Sequence, residues 1–299
     1  MILVVGEILY DVFQDYKRLG GAPFNFAFHL KNLGFPVRFV SRVGNDADGK
    51  TILGKLEQFG FNLEDIQIDP AHPTGSVQVR LDENGVPNFK ITPDVAYDYV
   101  EFIRKIHVPA IHKSELIYFG SLAQRSPLGF NNIQGILSHK PPSARCFYDI
   151  NLRPACYSDA VVMTSLSQAN ILKINNEECD EVRRILQYKK DPGTFIQYLM
   201  DTYPLEVISL TKGDRGSEIY TPKGFFRVGE TKIEKVIDSV GAGDAYAAML
   251  AAGLLGQWQP ETILRRATSF ASHICMIEGA ISESESFYQP FTPMIKRGE

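Results

Sequence analysis

Short apolar runs alternate with segments of helical periodicity along most of the chain. Ile2–Val5 is a continuous apolar run that predicts a buried strand, and the spacing in residues 24–33 predicts a helix. The same reasoning predicts strands at 37–43, 116–119, 145–150, 171–174 and 207–210, and helices near 51–59, 128–139, 158–169, 177–189 and 193–202. This alternation favours a three-layer α/β/α fold, with a mostly parallel central sheet between helices.

Residues 66–91 interrupt this alternation. Segments 76–81 and 86–91 alternate apolar and polar positions, and the sequence Asp82-Glu-Asn-Gly85 between them predicts a β-hairpin. Residues 9–19 are a second β candidate outside the strand–helix pattern. We therefore expect a single α/β domain over residues 1–299, with a discontinuous β lid from about 9–19 and 66–92. The alternative is a hairpin that only decorates one edge.

Composition and charge exclude several classes of protein. Of the 299 residues, 44% are hydrophobic and 22% are charged, which excludes global disorder. The net charge of −4 provides no general attraction for nucleic acid. The four cysteines lie far apart, which predicts reduced thiols. Because no signal-peptide pattern and no apolar run of about 20 residues is present, we expect a cytoplasmic protein without a membrane partner.

Residues 44–51 match the phosphate-binding pattern G-x-x-x-x-G-K-[ST], between a predicted strand and a predicted helix. However, Asp46 and Asp48 would place carboxylates where backbone N–H groups bind phosphate, and like charges repel. We therefore interpret this segment as a tight turn that begins a helix. The rival hypothesis is a P-loop nucleotide hydrolase, in which Lys50 would be essential.

The sequence Asp238-Ser-Val-Gly-Ala-Gly-Asp244 is the strongest candidate for a site of chemistry. It follows a β-like segment at 235–237 and precedes an Ala-rich helical segment at 245–255. Glycines allow close backbone approach, and the free N–H groups and dipole of a helix N-terminus attract phosphate. A carboxylate at Asp244 would suit a general base for phosphoryl transfer to an alcohol. The residues alone leave open that Asp244 only caps the helix.

Seven motifs, in order over residues 4–281, resemble those of the ribokinase-like (phosphofructokinase-B) carbohydrate kinases. They are Gly20-Gly-Ala-Pro-Phe-Asn-Phe-Ala27, the turn 44–49, Asp149-Ile-Asn-Leu-Arg153, Asn175-Asn-Glu-Glu178, Thr211-Lys-Gly-Asp-Arg-Gly216, the segment 238–244 and Gly279-Ala280. Ser239 stands where Thr is commoner in the family. The resemblance implies a ribokinase-like domain with a small β-sheet lid over the sugar, closest in motif to bacterial fructokinases.

The resemblance also implies roles for individual residues. The catalytic set would be the general base Asp244, the anion hole of Gly241, Ala242 and Gly243, and the cation Arg153. The sugar would contact Asp11, Gly21, Asn25, Phe89 and Asp244. ATP would contact Asn175, Thr211, Gly213, Gly216, Gly241 and Gly243. Glu178 would act on Mg²⁺ through water. In some relatives an aspartate binds a monovalent cation at the position of Asp238, so K⁺ at Asp238 is a further expectation.

The function implied is an ATP-dependent kinase that transfers the γ-phosphoryl group to a primary hydroxyl of a small sugar. Gly20-Gly-Ala-Pro23 favours fructose, whereas Tyr157, where Trp is usual, leaves ribose, 2-keto-3-deoxygluconate and nucleosides open. An inactive sugar- or nucleotide-binding regulatory protein is the alternative from a different class. Such a protein would lack the base or the anion hole, and both are present in this sequence. The exposed edges of the lid offer a surface for a homodimer.

Overall fold

The computed structural model describes residues 1–81, 87–229 and 235–297. In these ranges the strands are β1 (Ile2–Val5), β2 (Leu9–Val12), β3 (Lys17–Gly20), β4 (Val37–Gly44), β5 (Ile66–Asp69), β6 (Gly75–Leu81), β7 (Pro87–Ile91), β8 (Leu116–Gly120), β9 (Arg145–Asp149), β10 (Ile171–Asn175), β11 (Val207–Thr211), β12 (Ser217–Thr221) and β13 (Gly224–Val228). The helices are α1 (Ala22–Asn32), α2 (Ala47–Gln58), α3 (Arg104–His112), α4 (Pro127–Ser138), α5 (Asp159–Gln168), α6 (Asn176–Ile185), α7 (Phe195–Thr202), α8 (Ala242–Leu255), α9 (Pro260–Ile274), α10 (Glu285–Tyr288) and α11 (Thr292–Arg297).

Within the described ranges, nine strands form the central sheet in the order β13-β12-β11-β10-β9-β8-β1-β4-β5. The strands from β11 to β5 in this order pair in parallel, and β12 and β13 add an antiparallel edge. The mostly parallel sheet predicted from the sequence is thus confirmed. Its carboxyl-terminal edge is where loops bring side chains together in such folds.

Helices cover both faces of the sheet because the strands are apolar on both sides. In β1, Ile2 and Val4 point into one core with α1, α2, α8 and α9, whereas Leu3 and Val5 point into the other with α4 to α7. Helix α8 is buried on nearly all sides, which matches its run of alanines and Leu250. It packs against α1 and α9, and this packing fixes its N-terminus at the edge of the sheet.

The lid is a separate sheet, with β3, β2, β6 and β7 side by side in the described part of the chain. The expectation that the lid includes residues 66–69 is wrong, because β5 pairs in parallel with β4 at the edge of the central sheet. Its pairing is reinforced by Arg42, whose Nε lies 2.8 Å from Asp69 Oδ2. The second lid segment therefore begins at Gly75. The predicted turn at 82–85 lies outside the described residues.

Two other sequence expectations need correction at their boundaries. Residues 235–237 are not a strand; their chain is irregular, and the N–H of Ile237 donates to the Cys275 carbonyl at 2.8 Å. The side chains of Val236 and Ile237 are exposed, so these apolar residues do not indicate a buried strand. Helix α2 begins at Ala47, not at residue 51, because Asp46 caps it by accepting the Gly49 N–H at 2.7 Å. No helix in the described ranges is long and apolar enough to cross a membrane.

Candidate active site

The predicted site residues meet at the carboxyl-terminal edge of the central sheet, beneath the lid. Thr211 ends β11, Asn175 ends β10 and Asp149 ends β9. The N-terminus of α8 brings Asp244 to the same edge, and the lid strand β2 carries Asp11. Parallel strands thus assemble residues from motifs that are far apart in sequence.

The glycine loop before α8 requires its glycines. Gly241 has φ +80°, and a Cβ atom there would lie 2.3 Å from the Cβ of Ala280. The Gly279-Ala280 motif therefore packs directly against this loop. No side chain in the described structure caps α8. The Ala242 N–H donates to the Ser239 carbonyl at 3.3 Å, and the anion hole at the remaining N–H groups of this turn stays a prediction.

Asp244 lies in the first turn of α8 and is hydrogen-bonded across the site. Its Oδ2 accepts from Asn25 Nδ2 at 2.7 Å, which joins the start of α8 to the start of α1. Burial raises the pKa of Asp244 to about 6, and the negative charge of Asp149 adds to this effect. The Asn25 hydrogen bond, Lys173 and Arg153 act in the opposite direction. A pKa near the working pH is the property that a general base needs.

Of the predicted sugar-binding residues, Asn25 is hydrogen-bonded to this carboxylate. Asp11 lies on β2, and burial raises its pKa to about 6, with Arg153 opposing that shift. A Cβ atom at Gly20 would lie 2.8 Å from Asp11 Oδ2, so Gly20 leaves room for the carboxylate. Gly21 has φ +110°, and a Cβ there would lie 2.7 Å from the Glu7 carbonyl oxygen. The backbone of Phe89 lies in β7, but its side chain is outside the described part of the structure.

Arg153 is exposed at the mouth of the site. Its positive charge lowers the pKa values of Glu7, Asp11 and Asp244. A hydrogen bond of 3.4 Å to the neighbouring Leu152 carbonyl leaves most of its donors free for a ligand. Its place near the transferred group stays a prediction.

Asn175 and Glu178 form a reciprocal cap at the start of α6. Asn175 Oδ1 accepts the Glu178 N–H at 2.8 Å, and Glu178 Oε2 accepts the Asn175 N–H at 2.9 Å. Glu178 Oε1 also accepts the Leu152 N–H at 3.0 Å, so this carboxylate holds the loop that carries Arg153. Both oxygens thus serve local structure. A contact to Mg²⁺ through water fits this geometry better than direct ligation.

The turn that is predicted to contact the nucleotide follows β11. Gly213 and Gly216 have φ values of +62° and +89°. A Cβ at Gly216 would lie 2.1 Å from the Val228 carbonyl oxygen, so only glycine fits there. Next to it, Lys212 Nζ lies 2.5 Å from Glu218 Oε1. Among the described residues, no group of three or more His, Cys, Asp or Glu side chains is arranged to hold a metal ion.

Sequence reasoning missed a buried ion pair under the glycine loop. Lys173 Nζ lies 2.9 Å from Asp149 Oδ1, and the Tyr118 hydroxyl donates to Asp149 Oδ2 at 3.0 Å. The same ammonium group lies 3.2 Å from the position of a Cβ at Gly243. Burial would lower the pKa of Lys173, but Asp149, Glu178 and Asp244 raise it above its usual value. A lysine within the apolar strand 171–174 was the available signal.

Glu7 is the second residue that the motifs did not reveal. It follows β1, is 3% exposed, and its Oε2 has no hydrogen-bond partner in the described structure. Burial raises its pKa to about 7, partly offset by its own backbone N–H and by Arg153. The charge of Asp244 raises it further. Glu7 is therefore electrostatically coupled to the site.

A model of the pfkB family of carbohydrate kinases matches residues 2–286. The chain belongs to this family. The family resemblance inferred from the motifs is thus confirmed over almost the whole length.

Characterised relatives of this pfkB chain have different acceptors. A fructokinase of Salmonella typhimurium is 25% identical over 270 residues, which are 87% of this chain and 86% of the relative. A 5-dehydro-2-deoxygluconokinase of Bacillus anthracis is 23% identical over 259 residues, 80% of this chain and 74% of the relative. The relatives therefore agree on the family and differ in the sugar.

Solved structures share the fold of the whole chain. The fructokinase of Xylella fastidiosa with bound ATP superposes with a TM-score of 0.84 at 23% identity, over 97% of this chain and 98% of that one. The fructokinase of Vibrio cholerae O395 with fructose, ADP and calcium gives 0.79 at 24% identity, over 96% and 97%. A double mutant of the latter, with fructose, ADP and potassium, gives 0.79 at 23% identity, over the same shares. These likenesses confirm the ribokinase-like fold.

Proposed function

We propose that this pfkB chain is an ATP-dependent kinase that transfers the γ-phosphoryl group to a primary hydroxyl of a small sugar, with fructose as its acceptor. The observation that carries the proposal is the position of Asp244. Its carboxylate lies beside the uncapped N-terminus of α8 and is held by Asn25 at 2.7 Å. A base and an anion hole at one point are the two parts that phosphoryl transfer to an alcohol needs.

In the reaction, Asp244 accepts the proton of the sugar hydroxyl as the hydroxyl oxygen attacks the γ-phosphorus, and the bond from the γ-phosphorus to the β–γ bridging oxygen breaks to release ADP. The first-turn N–H groups of α8 and the guanidinium of Arg153 stabilise the negative charge on the transferring oxygens. Lys173 adds positive charge below the same loop, because its ammonium lies 3.2 Å from the Cβ position of Gly243. Asp11, with two acceptor oxygens, binds neighbouring sugar hydroxyls. The lid excludes water, so the sugar and not the solvent receives the phosphoryl group.

Asn175 and Glu178 would hold Mg²⁺ through its water shell. The ion supplies charge neutralisation of the triphosphate when it is bound. The chain's own contribution there is structural, because Glu178 fixes the Arg153 loop through the Leu152 N–H at 3.0 Å.

Two observations support fructose. The Ala-Pro version of the first glycine motif resembles fructokinases, and a fructokinase is among the relatives at 25% identity. A relative with a 5-dehydro-2-deoxygluconate acceptor argues for testing keto-sugar acids alongside it. Changes in a few pocket residues are sufficient to alter the acceptor, so the choice of sugar rests on experiment.

The test is ATP consumption by the purified chain with fructose, ribose, 2-keto-3-deoxygluconate and a nucleoside. We expect kcat/KM to be highest with fructose. The Asp244→Asn variant, purified in the same way, is the control for contaminating kinases, and its activity must be reduced by ~10² or more with each sugar that the wild type accepts. A higher kcat/KM with another sugar contradicts fructose, and no consumption with any of the four contradicts the kinase proposal.

A further inference from the structure

The carboxylate of Asp238, at the start of the glycine loop, contacts three donors. Its Oδ1 accepts the Val240 N–H at 3.0 Å, and its Oδ2 accepts the Gly279 N–H at 3.0 Å. The same Oδ2 lies 3.1 Å from Nη1 of Arg18. Asp238 therefore ties together the glycine loop, the Gly279-Ala280 segment that packs on it, and a cation supplied by the chain itself.

That cation comes from the lid. Arg18 lies on β3, next to the glycines that begin the sugar motif. Its Nη2 lies 2.9 Å from Glu278 Oε2, so the guanidinium joins two carboxylates of the main body. The guanidinium carbon also lies 4.8 Å from the ring centroid of Tyr16 and 5.5 Å from that of Phe13, and these two rings stack at 4.5 Å. Stacked rings, a strand and two carboxylates thus fix the arginine in place.

This geometry does not fit a monovalent cation at Asp238. A hard cation needs free oxygen lone pairs, and the Arg18 guanidinium, 3.1 Å from Oδ2, takes one of those that the two backbone N–H groups leave. The guanidinium of Arg18 would also repel a second positive charge at this point. The expectation of K⁺ at Asp238, taken from the family resemblance, therefore conflicts with the arrangement of these side chains.

We propose that Arg18 takes the place of a monovalent cation at Asp238, so that phosphoryl transfer by this chain does not depend on K⁺. The inference rests on the proposed kinase function. A fixed charge on the lid strand neutralises the carboxylate at the start of the phosphate-binding loop, and it links the lid to that loop. Without it, Asp238 and Glu278 would leave uncompensated negative charge beside the site for the ATP phosphates.

The experiment compares the wild type, Arg18→Ala and the matched control Lys17→Ala in K⁺, Na⁺ or tetramethylammonium chloride at constant ionic strength. Lys17 is the neighbouring residue of β3 and also forms a lid-to-body ion pair, with Asp48 of α2, away from the glycine loop. Two quantities are measured, kcat/KM for ATP and the rise in melting temperature that ATP produces. The second needs no turnover, so it tests this inference even if no sugar is phosphorylated.

We expect the wild-type kcat/KM for ATP and the wild-type rise in melting temperature with ATP to differ by less than about twofold between the salts. The constant ionic strength keeps the screening of charges the same in each. Arg18→Ala should lose about tenfold in kcat/KM for ATP in tetramethylammonium. K⁺ should restore part of this loss, because the removed side chain leaves space beside Asp238. Lys17→Ala should stay within about twofold of the wild type, as is usual for an exposed ion pair.

Stimulation of the wild type by K⁺ of about fivefold or more would overturn the inference, because that is the size of a real effector coupling. An Arg18→Ala variant that behaves like Lys17→Ala, or that K⁺ does not restore, would overturn it as well. A wild type that binds ATP equally in all salts but phosphorylates no sugar would support this inference and contradict the kinase function.

Discussion

Three carboxyl groups at the site carry raised pKa values because burial opposes their negative charge. Those of Asp11 and Asp244 are raised to about 6 and that of Glu7 to about 7. Arg153 lowers all three pKa values, and Arg125, Arg18 and Lys173 each lower one of them. Such paired perturbations are typical of catalytic sites. They also make folding stability depend on pH.

Glu7 gives the clearest test of that dependence. A carboxyl group with a higher pKa in the folded protein binds more protons when folded, so stability falls as pH rises from about 4.5 to about 7. Glu7→Gln removes this penalty. We expect it to raise the free energy of unfolding at pH 8 by on the order of 2 kcal/mol, and to change it little at pH 4.

Urea unfolding of both proteins at the two pH values measures this difference. The control is Glu57→Gln, the same chemical change at an exposed position of α2, for which we expect no pH-dependent gain. A Glu7→Gln protein that is less stable than the wild type at pH 8 would show that the ionised carboxylate is stabilised in the fold, against our interpretation.

Some site residues could be predicted from the sequence and others could not. Asp244 and Asn25 stand in motifs whose spacing is characteristic, and the structure joins them with a hydrogen bond. Glu7 is influenced by Asp244, which lies more than a hundred positions away in the sequence. Lys173 pairs with Asp149, which lies about twenty positions away. A single sequence does not show which buried polar residue ends up below a given loop.

At the level of elements, the conformation of the glycine loop decides whether α8 can bind an anion. We expect Gly241→Ala to reduce phosphoryl transfer by about a hundredfold or more, because loss of one oxyanion-hole donor has that effect. The reason is steric, since the new Cβ would lie 2.3 Å from the Ala280 Cβ and φ is +80°. Steady-state kinetics together with the melting temperature check this expectation.

Gly54→Ala is the matched control for this substitution. A Cβ at Gly54, on α2, meets nothing within 4 Å, so we expect normal kinetics and equal or greater stability. Normal turnover in Gly241→Ala would mean that the loop does not need its left-handed residue.

The turn 44–51 resembles a phosphate-binding loop in its sequence pattern. In contrast to Gly241, we expect a substitution there to leave activity unchanged. Within this turn the Gly49 N–H donates to Asp46 at 2.7 Å, the Gly44 N–H to Thr74 Oγ1 at 3.0 Å and the Asn45 N–H to the Asp69 carbonyl at 2.8 Å, so these three donors are already used. We expect Lys50→Ala to leave kcat/KM within about twofold, because Lys50 is exposed. Abolished activity in Lys50→Ala would instead favour the P-loop hypothesis.

We also expect Asp46→Ala to destabilise the fold by about 1 kcal/mol or more, because the cap of α2 is lost.

Strands with continuous apolar runs were predicted correctly. The wrong predictions concern segments whose apolar and polar pattern fits more than one position in the fold. The strand at 66–69 has the alternation of a lid strand, but its side chains fit the edge of the central sheet next to β4. Val236 and Ile237 are apolar but exposed, and residues 235–237 form no strand. Periodicity indicates that a segment is extended or buried, and only tertiary contacts decide its neighbours.

At the scale of the whole molecule, the site is a junction between the two ends of the chain. Asn25 and Asp244 are 219 positions apart, and Arg18 and Asp238 are 220 positions apart. Helices α1 and α8 pack against each other and carry these groups to one point. The order of the motifs could reveal the family from sequence, but the contacts between the ends required the fold.

The base at this junction is tested most directly by Asp244→Asn, which keeps the shape of the side chain and removes its ability to accept a proton. The measurement is the single-turnover rate of phosphoryl transfer from ATP to the accepted sugar, together with calorimetric binding of that sugar. We predict a rate reduced by ~10² or more, with sugar binding still measurable. An Asp244→Asn enzyme that transfers the phosphoryl group at the wild-type rate would contradict the mechanism.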